Sequence, residues 1–130
     1  MIKNEGRRPT SVALTSFTFA DFVSGVGKLV VDLPSGSIVT GGFLVIDTVF
    51  NSVTSDTLTV GDAGVAARYK GGIDGQALAA TALVPTMAEV LSDTGSILIG
   101  WTGVGTAPTT GAGRILVEYI ETARADFVQR

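Results

Sequence analysis

Residues 33–69 read LPSGSIVTGGFLVIDTVFNSVTSDTLTVGDAGVAARY, and this stretch decides the fold class. Val, Ile, Phe and Thr dominate it, residues that suit a pleated, half-buried surface. Pro34, Ser35, Gly36 and Ser37 make a turn: Pro fixes one dihedral and Gly permits positive φ. The apolar run 38–50 is interrupted by Gly41, Gly42 and Asp47. Two adjacent glycines inside a helix would cost roughly 2 kcal/mol. The run therefore reads as two strand segments with a kink at Gly41-Gly42, a bulge or a bend where the chain changes sheet. Residues 51–56 (NSVTSD) form a corner whose Asn, Ser, Thr and Asp side chains bond their own backbone. A short strand over 57–60, a turn over 61–64 and a further short strand or extended segment over 65–69 complete the stretch.

The same reading extends outward. Residues 11–19 form a strand with both faces mixed in polarity, and 28–33 another, with a Gly-punctuated loop over 21–27 between them. Residues 70–75 (KGGIDG) read as a flexible loop. Residues 76–84 (QALAATALV) fit either a short helix limited by Thr81 and Pro85 or an edge strand of small residues. A buried strand over 96–102, a Gly/Thr loop over 103–113 and a last strand over 114–122 close the pattern. That last strand sets Ile115, Val117 and Tyr119 on one side and Leu116, Glu118 and Ile120 on the other. About eight short strands with turns every 8–12 residues predict an all-β jelly-roll β-sandwich with at most one short helix. The expected organisation is an extended N-terminal arm over 1–10, a sandwich domain over 11–123 and a C-terminal tail over 124–130.

Composition narrows the function. At 130 residues the chain has the size of one domain, ~100–150 residues. Only 16% of its residues are charged, against ~25% in ordinary globular chains. A surface this poor in charge predicts an interface, and hence an oligomer or a docked subunit. There is no Cys and no His. Disulfides, thiolate metal sites, the usual zinc sites, His general bases and Ser-His-Asp or Cys-His triads are excluded.

Three of the nine basic residues and one of the twelve acidic ones lie in the first ten positions, leaving six against eleven, a net of −5, for the rest. An acidic body argues against nucleic-acid binding. The basic arm, with Lys3, Arg7 and Arg8, is the candidate for docking on an acidic neighbour; a frayed, solvated end is its plainer reading. No run of ~18 apolar residues predicts a membrane-spanning helix, and the first residues lack the apolar core of a secretory signal. Cytoplasmic synthesis is the expectation.

Catalytic signals are weak. The carboxylates are scattered, and a glycosidase needs two facing each other across a bond. Asp47 interrupts an apolar strand, which also fits an outward-facing residue on a half-exposed strand. Asp56, Asp62 and Asp74 lie in oxygen-rich turns of the sort that hold calcium, yet without EF-hand spacing. Gly25, Gly27 and Lys28 lack the spacing and the following helix of a phosphate loop. Trp101, the single tryptophan, is either a core or interface anchor or, in a carbohydrate-binding module, a platform for a sugar ring. Arg68 and Arg114 either pair with acids across an interface or are solvated. No catalytic residue, metal site or cofactor is expected.

The segment LPSGSIVTGGFLVIDTVFNSVTSDTLTVGD (33–62), the Arg68-Tyr69 pair and the closing RILVEYIETARADF (114–127) carry a resemblance. The chain resembles the head decoration or cement proteins of tailed bacteriophages, encoded beside the major capsid gene. The pattern is an aliphatic-Pro-x-Gly turn, a β run ending in FNS-x-TSD and a Val-Gly-Asp turn. It covers most of the chain after about residue 12 and contains no catalytic anchor. The resemblance implies a jelly roll, a non-enzymatic virion structural role on the capsid exterior, and bridging of neighbouring major capsid subunits. It also implies self-association as a homodimer or homotrimer; the acidic body and the lack of a long apolar run make neither nucleic acid nor membrane an expected partner. The alternative function is a carbohydrate-binding β-sandwich module of a phage tail or fibre, which requires an exposed Trp101 beside Asp or Asn.

Overall fold

The structure, a computed structural model, describes residues 10–33, 37–62, 64–84 and 96–121. Eight strands run β1 (Ser11–Thr18), β2 (Lys28–Asp32), β3 (Ser37–Thr48), β4 (Ser55–Gly61), β5 (Lys70–Asp74), β6 (Ala80–Ala82), β7 (Ser96–Val104) and β8 (Ala112–Glu121). The described residues contain no α-helix, only a 3-10 turn at Phe19–Asp21. Among them no helix is long and apolar enough to cross a membrane.

The pairing explains the architecture. β1 pairs with β8, β2 with β7, β3 with β6 and β4 with β5, all antiparallel. That is one long antiparallel hairpin, folded at the β4–β5 turn. Rolling it up adds β3–β8 and β4–β7 pairs. The result is two four-stranded sheets, β1-β8-β3-β6 and β2-β7-β4-β5, the jelly-roll arrangement that the strand pattern predicts.

Inward-facing Leu44, Ile46, Leu58, Val60, Ile97, Ile99, Ile115 and Val117 fill the space between the sheets and are almost wholly buried. An aromatic chain continues the core: Phe17 meets Phe22 edge-on at 5.4 Å, Phe22 tilts on Phe50 at 6.3 Å, and Phe50 stacks on Trp101 at 6.3 Å. Each such contact adds about 0.5–1.5 kcal/mol beyond area burial.

Several local expectations are corrected. The kink at Gly41-Gly42 does not divide the run: β3 is one twelve-residue strand, paired to β8 on both sides of a register shift between Val39 and Gly41. Gly42 has φ +137°, and a Cβ there would run into the Leu116 carbonyl. The expected loop over 70–75 is mostly β5, an edge strand whose Ile73 is buried and pairs with Leu58. The expected strand over 65–69 is a turn. The Asp62 carboxylate accepts the Gly64 and Val65 N–H groups, and the Val65 carbonyl accepts those of Asp62 and Arg68. The 76–84 segment contributes a three-residue edge strand, β6, because Phe43–Val45 of β3 offer it a free edge. The tail over 124–130 and, Thr10 aside, the arm over 1–10 lie outside the described residues.

Candidate interaction face

The two sheets differ on their outer sides. On β2-β7-β4-β5 the outward positions are mainly Ser55, Thr57, Thr59, Gly100, Thr102 and Asp74, with Leu29 beside Leu98 at one end and Val104 at the other. On β1-β8-β3-β6 the outward residues are apolar through the middle. Leu14 of β1 lies opposite Leu116 of β8, Leu116 opposite Phe43 of β3, and Phe43 opposite Ala82 of β6. This row crosses the whole sheet. Val12 and Val45 flank it, and Val12, Leu14 and Phe43 are 53%, 61% and 46% exposed. Leu14, Phe43, Val45, Ala80, Arg114 and Leu116 enclose a shallow hollow of about 270 Å³. Covering a Leu or Phe of this kind contributes about 1.5–3 kcal/mol for full burial.

Charge on this face is sparse. Arg114 donates to Asp47 through Nε (2.9 Å) and Nη2 (3.0 Å), a bidentate pair open to solvent. The hydrogen bonds and then the charge of Asp47 raise the Arg114 pKa above its ordinary value. Asp47 thus faces outward, as one reading of the strand has it. Both arginines singled out in the sequence find their acids within the chain: Arg68 Nε donates to Asp62 at 2.6 Å.

The FNS-x-TSD corner has a structural explanation. Phe50 enters the core at 1% exposure. Asn51 accepts the Thr109 N–H at 2.7 Å and donates to the Thr109 hydroxyl at 2.9 Å, pinning the β7–β8 loop. Asp56 is buried, with no cationic partner among the described residues. It accepts from Ser52 N (2.9 Å), Ser52 Oγ (2.7 Å), Gln76 Nε2 (2.9 Å) and Trp101 Nε1 (2.9 Å). Burial pushes its pKa up, but the donors on Ser52, Gln76 and Trp101 outweigh that and hold the carboxyl below its ordinary value. With four donors, both oxygens are saturated, leaving nothing for a substrate or a cation. The group fastens the β3–β4 corner to the β5–β6 connection and to β7.

The other sequence candidates fall as follows. Trp101 is buried at 8% exposure, its indole N–H given to Asp56 and its ring stacked on Phe50. Lys3, Arg7 and Arg8 lie outside the described residues. Asp74 accepts the Gln76 N–H, and Asp62 is taken by Arg68 and the turn. Among the described residues no three His, Cys, Asp or Glu side chains gather to hold a metal ion. A second hollow, about 320 Å³, lies over the other sheet, and its lining includes Gly25, Gly27, Leu98, Gly100, Trp101 and Thr102. Sequence reasoning missed the apolar face. Its trace was β1, apolar on both sides: Val12 and Leu14 outward, Ala13 and Phe17 inward.

No protein-family model matches the chain, and no curated protein matches it in sequence. Among solved structures the fold is similar to a chain of the cyanophage Pam1 capsid asymmetric unit. The TM-score is 0.75 at 23% identity, covering 94% of this chain and 94% of that one. The two share the jelly-roll fold along nearly their whole length.

Proposed function

We propose that this chain is a non-enzymatic virion structural protein that decorates a phage capsid from outside and cements it by bridging neighbouring major capsid subunits. The observation that carries the reading is the end-to-end likeness to a chain from a capsid asymmetric unit. Two features support it. One sheet exposes a cross-strand apolar row, a surface that suits a partner better than water. The best-placed carboxylates, Asp56 and Asp62, are occupied by structural donors rather than poised for proton transfer.

The mechanism is mechanical. A subunit that binds only the assembled shell stabilises it by mass action, and repetition around the shell adds avidity. Lys3, Arg7 and Arg8 carry the arm to an acidic neighbour, and the body remains acidic. The buried Trp101 disfavours the glycan-binding alternative. The test is co-sedimentation of the purified chain with undecorated capsids of its own phage. Saturable binding supports the reading and its absence overturns it. Unchanged occupancy after deletion of residues 1–10 overturns the arm's part in it.

A further inference from the structure

We infer that the outer face of the β1-β8-β3-β6 sheet pairs with the same face of a second copy, about a two-fold axis running across the strands along the Leu14–Leu116–Phe43 row. This names a partner for the virion protein proposed above and rests on that reading for its biological setting, although its test needs no capsid.

The argument is self-complementarity. A two-fold along the row lays Leu14, Leu116 and Phe43 on their own counterparts and reverses the strand direction. Outward positions two residues to either side of the row then face one another across the interface. On β8 these are Arg114 and Glu118, so the cation of one copy meets the carboxylate of the other. The bonds from Arg114 to Asp47 engage Nε and Nη2 and leave Nη1 for a second carboxylate. On β3 the matched positions are Val45 and Gly41; the Glu118 carboxylate lies over Gly41, its Oε1 3.3 Å from where a Cβ would stand, so Val45 of the other copy packs beside that carboxylate. On β1 they are Ser16 and Val12, small against large. All three strands therefore satisfy the same operator. Face-to-face sheets pack about 10 Å apart with interdigitating side chains, a spacing that exposed Leu and Phe fill.

The opposite sheet lacks this pattern, because Thr57 and Thr102 occupy the matching middle of its face. The apolar centre spans about 14 Å across the strands and about 14 Å along them. That is small beside the ~800 Å² per partner of a standard interface, so the expected dimer is weak and concentration-dependent.

The chain has no native Cys, which makes a single introduced thiol a clean reporter. Leu116→Cys places a thiol on the axis, and Thr57→Cys places one on the opposite sheet. With a short bismaleimide, Leu116→Cys should give covalent dimers and Thr57→Cys should stay monomeric. By light scattering the wild type should be a concentration-dependent dimer. Phe43→Asp, a change at an exposed position, should raise the dimer Kd about a hundredfold while leaving the circular dichroism spectrum intact. Glu118→Arg, which sets cation against cation, should raise it about tenfold. A monomer at millimolar concentration, equal cross-linking of both thiols, or a trimer indifferent to Phe43→Asp overturns the inference. A monomer that still binds capsids refutes this pairing alone. A dimer that ignores capsids refutes the capsid reading alone.

Discussion

Replacing Asp56 by Ala tests how the fold is fastened. The substitution removes one buried acceptor and strands four donors: Ser52 N, Ser52 Oγ, Gln76 Nε2 and Trp101 Nε1. A buried polar group left without its partner costs about 1–3 kcal/mol. Gln76 Nε2 keeps the Ser52 carbonyl at 2.7 Å, and the Ser52 hydroxyl is able to turn. Two donors, Trp101 Nε1 and Ser52 N, bear most of the loss, giving a net cost of about 3–5 kcal/mol. A cost of 1 kcal/mol moves Tm by about 2–8 °C across the range of domain sizes that brackets this chain, so the variant should melt at least ~6 °C lower. Trp101→Phe keeps the ring on Phe50 and removes one donor, and should cost about 1–2 kcal/mol. The two changes share a bond, so the double variant should be less destabilised than the sum of the singles. Urea unfolding, followed by circular dichroism, measures all three. An Asp56→Ala variant within 1 kcal/mol of wild type, or strictly additive singles, would refute the role given to this carboxylate.

Other outcomes follow from the same geometry. The Asp56 pKa is lower folded than unfolded, so its contribution is complete above the unfolded value of about 3.9 and is lost as pH falls through the folded value. Stability should fall with acidification below about pH 4, and Asp56→Asn should flatten that fall in a pH series of unfolding curves. Gly42→Ala sets a Cβ against the Leu116 carbonyl at a φ of +137° and should cost about 3 kcal/mol or more, read as lost folded yield. Within one subunit Arg114→Ala breaks an exposed pair with Asp47 and should shift the stability of the monomer by less than about 1 kcal/mol. Trp101 emission should be blue-shifted and indifferent to added glycans; a red-shifted, glycan-quenched signal would revive the carbohydrate-binding alternative.

The sheet architecture was legible because Gly41 and Gly42 make a helix over the long run 38–50 costly, and because turn residues separate the apolar segments. The corner at 51–56 was legible as a corner, since Ser52 and Asp56 bond locally. Its further role was not, because Gln76 and Trp101 arrive from 20 and 45 residues away. β5 was hidden by Gly71 and Gly72, which read as a loop; pairing with β4 and the burial of Ile73 make it a strand. Residues 65–69 look like a strand by composition, but the Asp62 carboxylate captures two N–H groups and turns the chain instead. The apolar face was invisible for a different reason. A strand with Val12 and Leu14 on one side and Ala13 and Phe17 on the other does not reveal which side meets the core until β8 is placed beside it.

The most direct test of the proposed cement role is the temperature at which undecorated capsids, those of the phage to which the proposal assigns the chain, lose their shell, measured with and without saturating protein. A cement that binds only the assembled shell must raise that temperature, and the increase must grow with occupancy until the sites are full. A disruption temperature that does not move at any protein concentration would contradict the account.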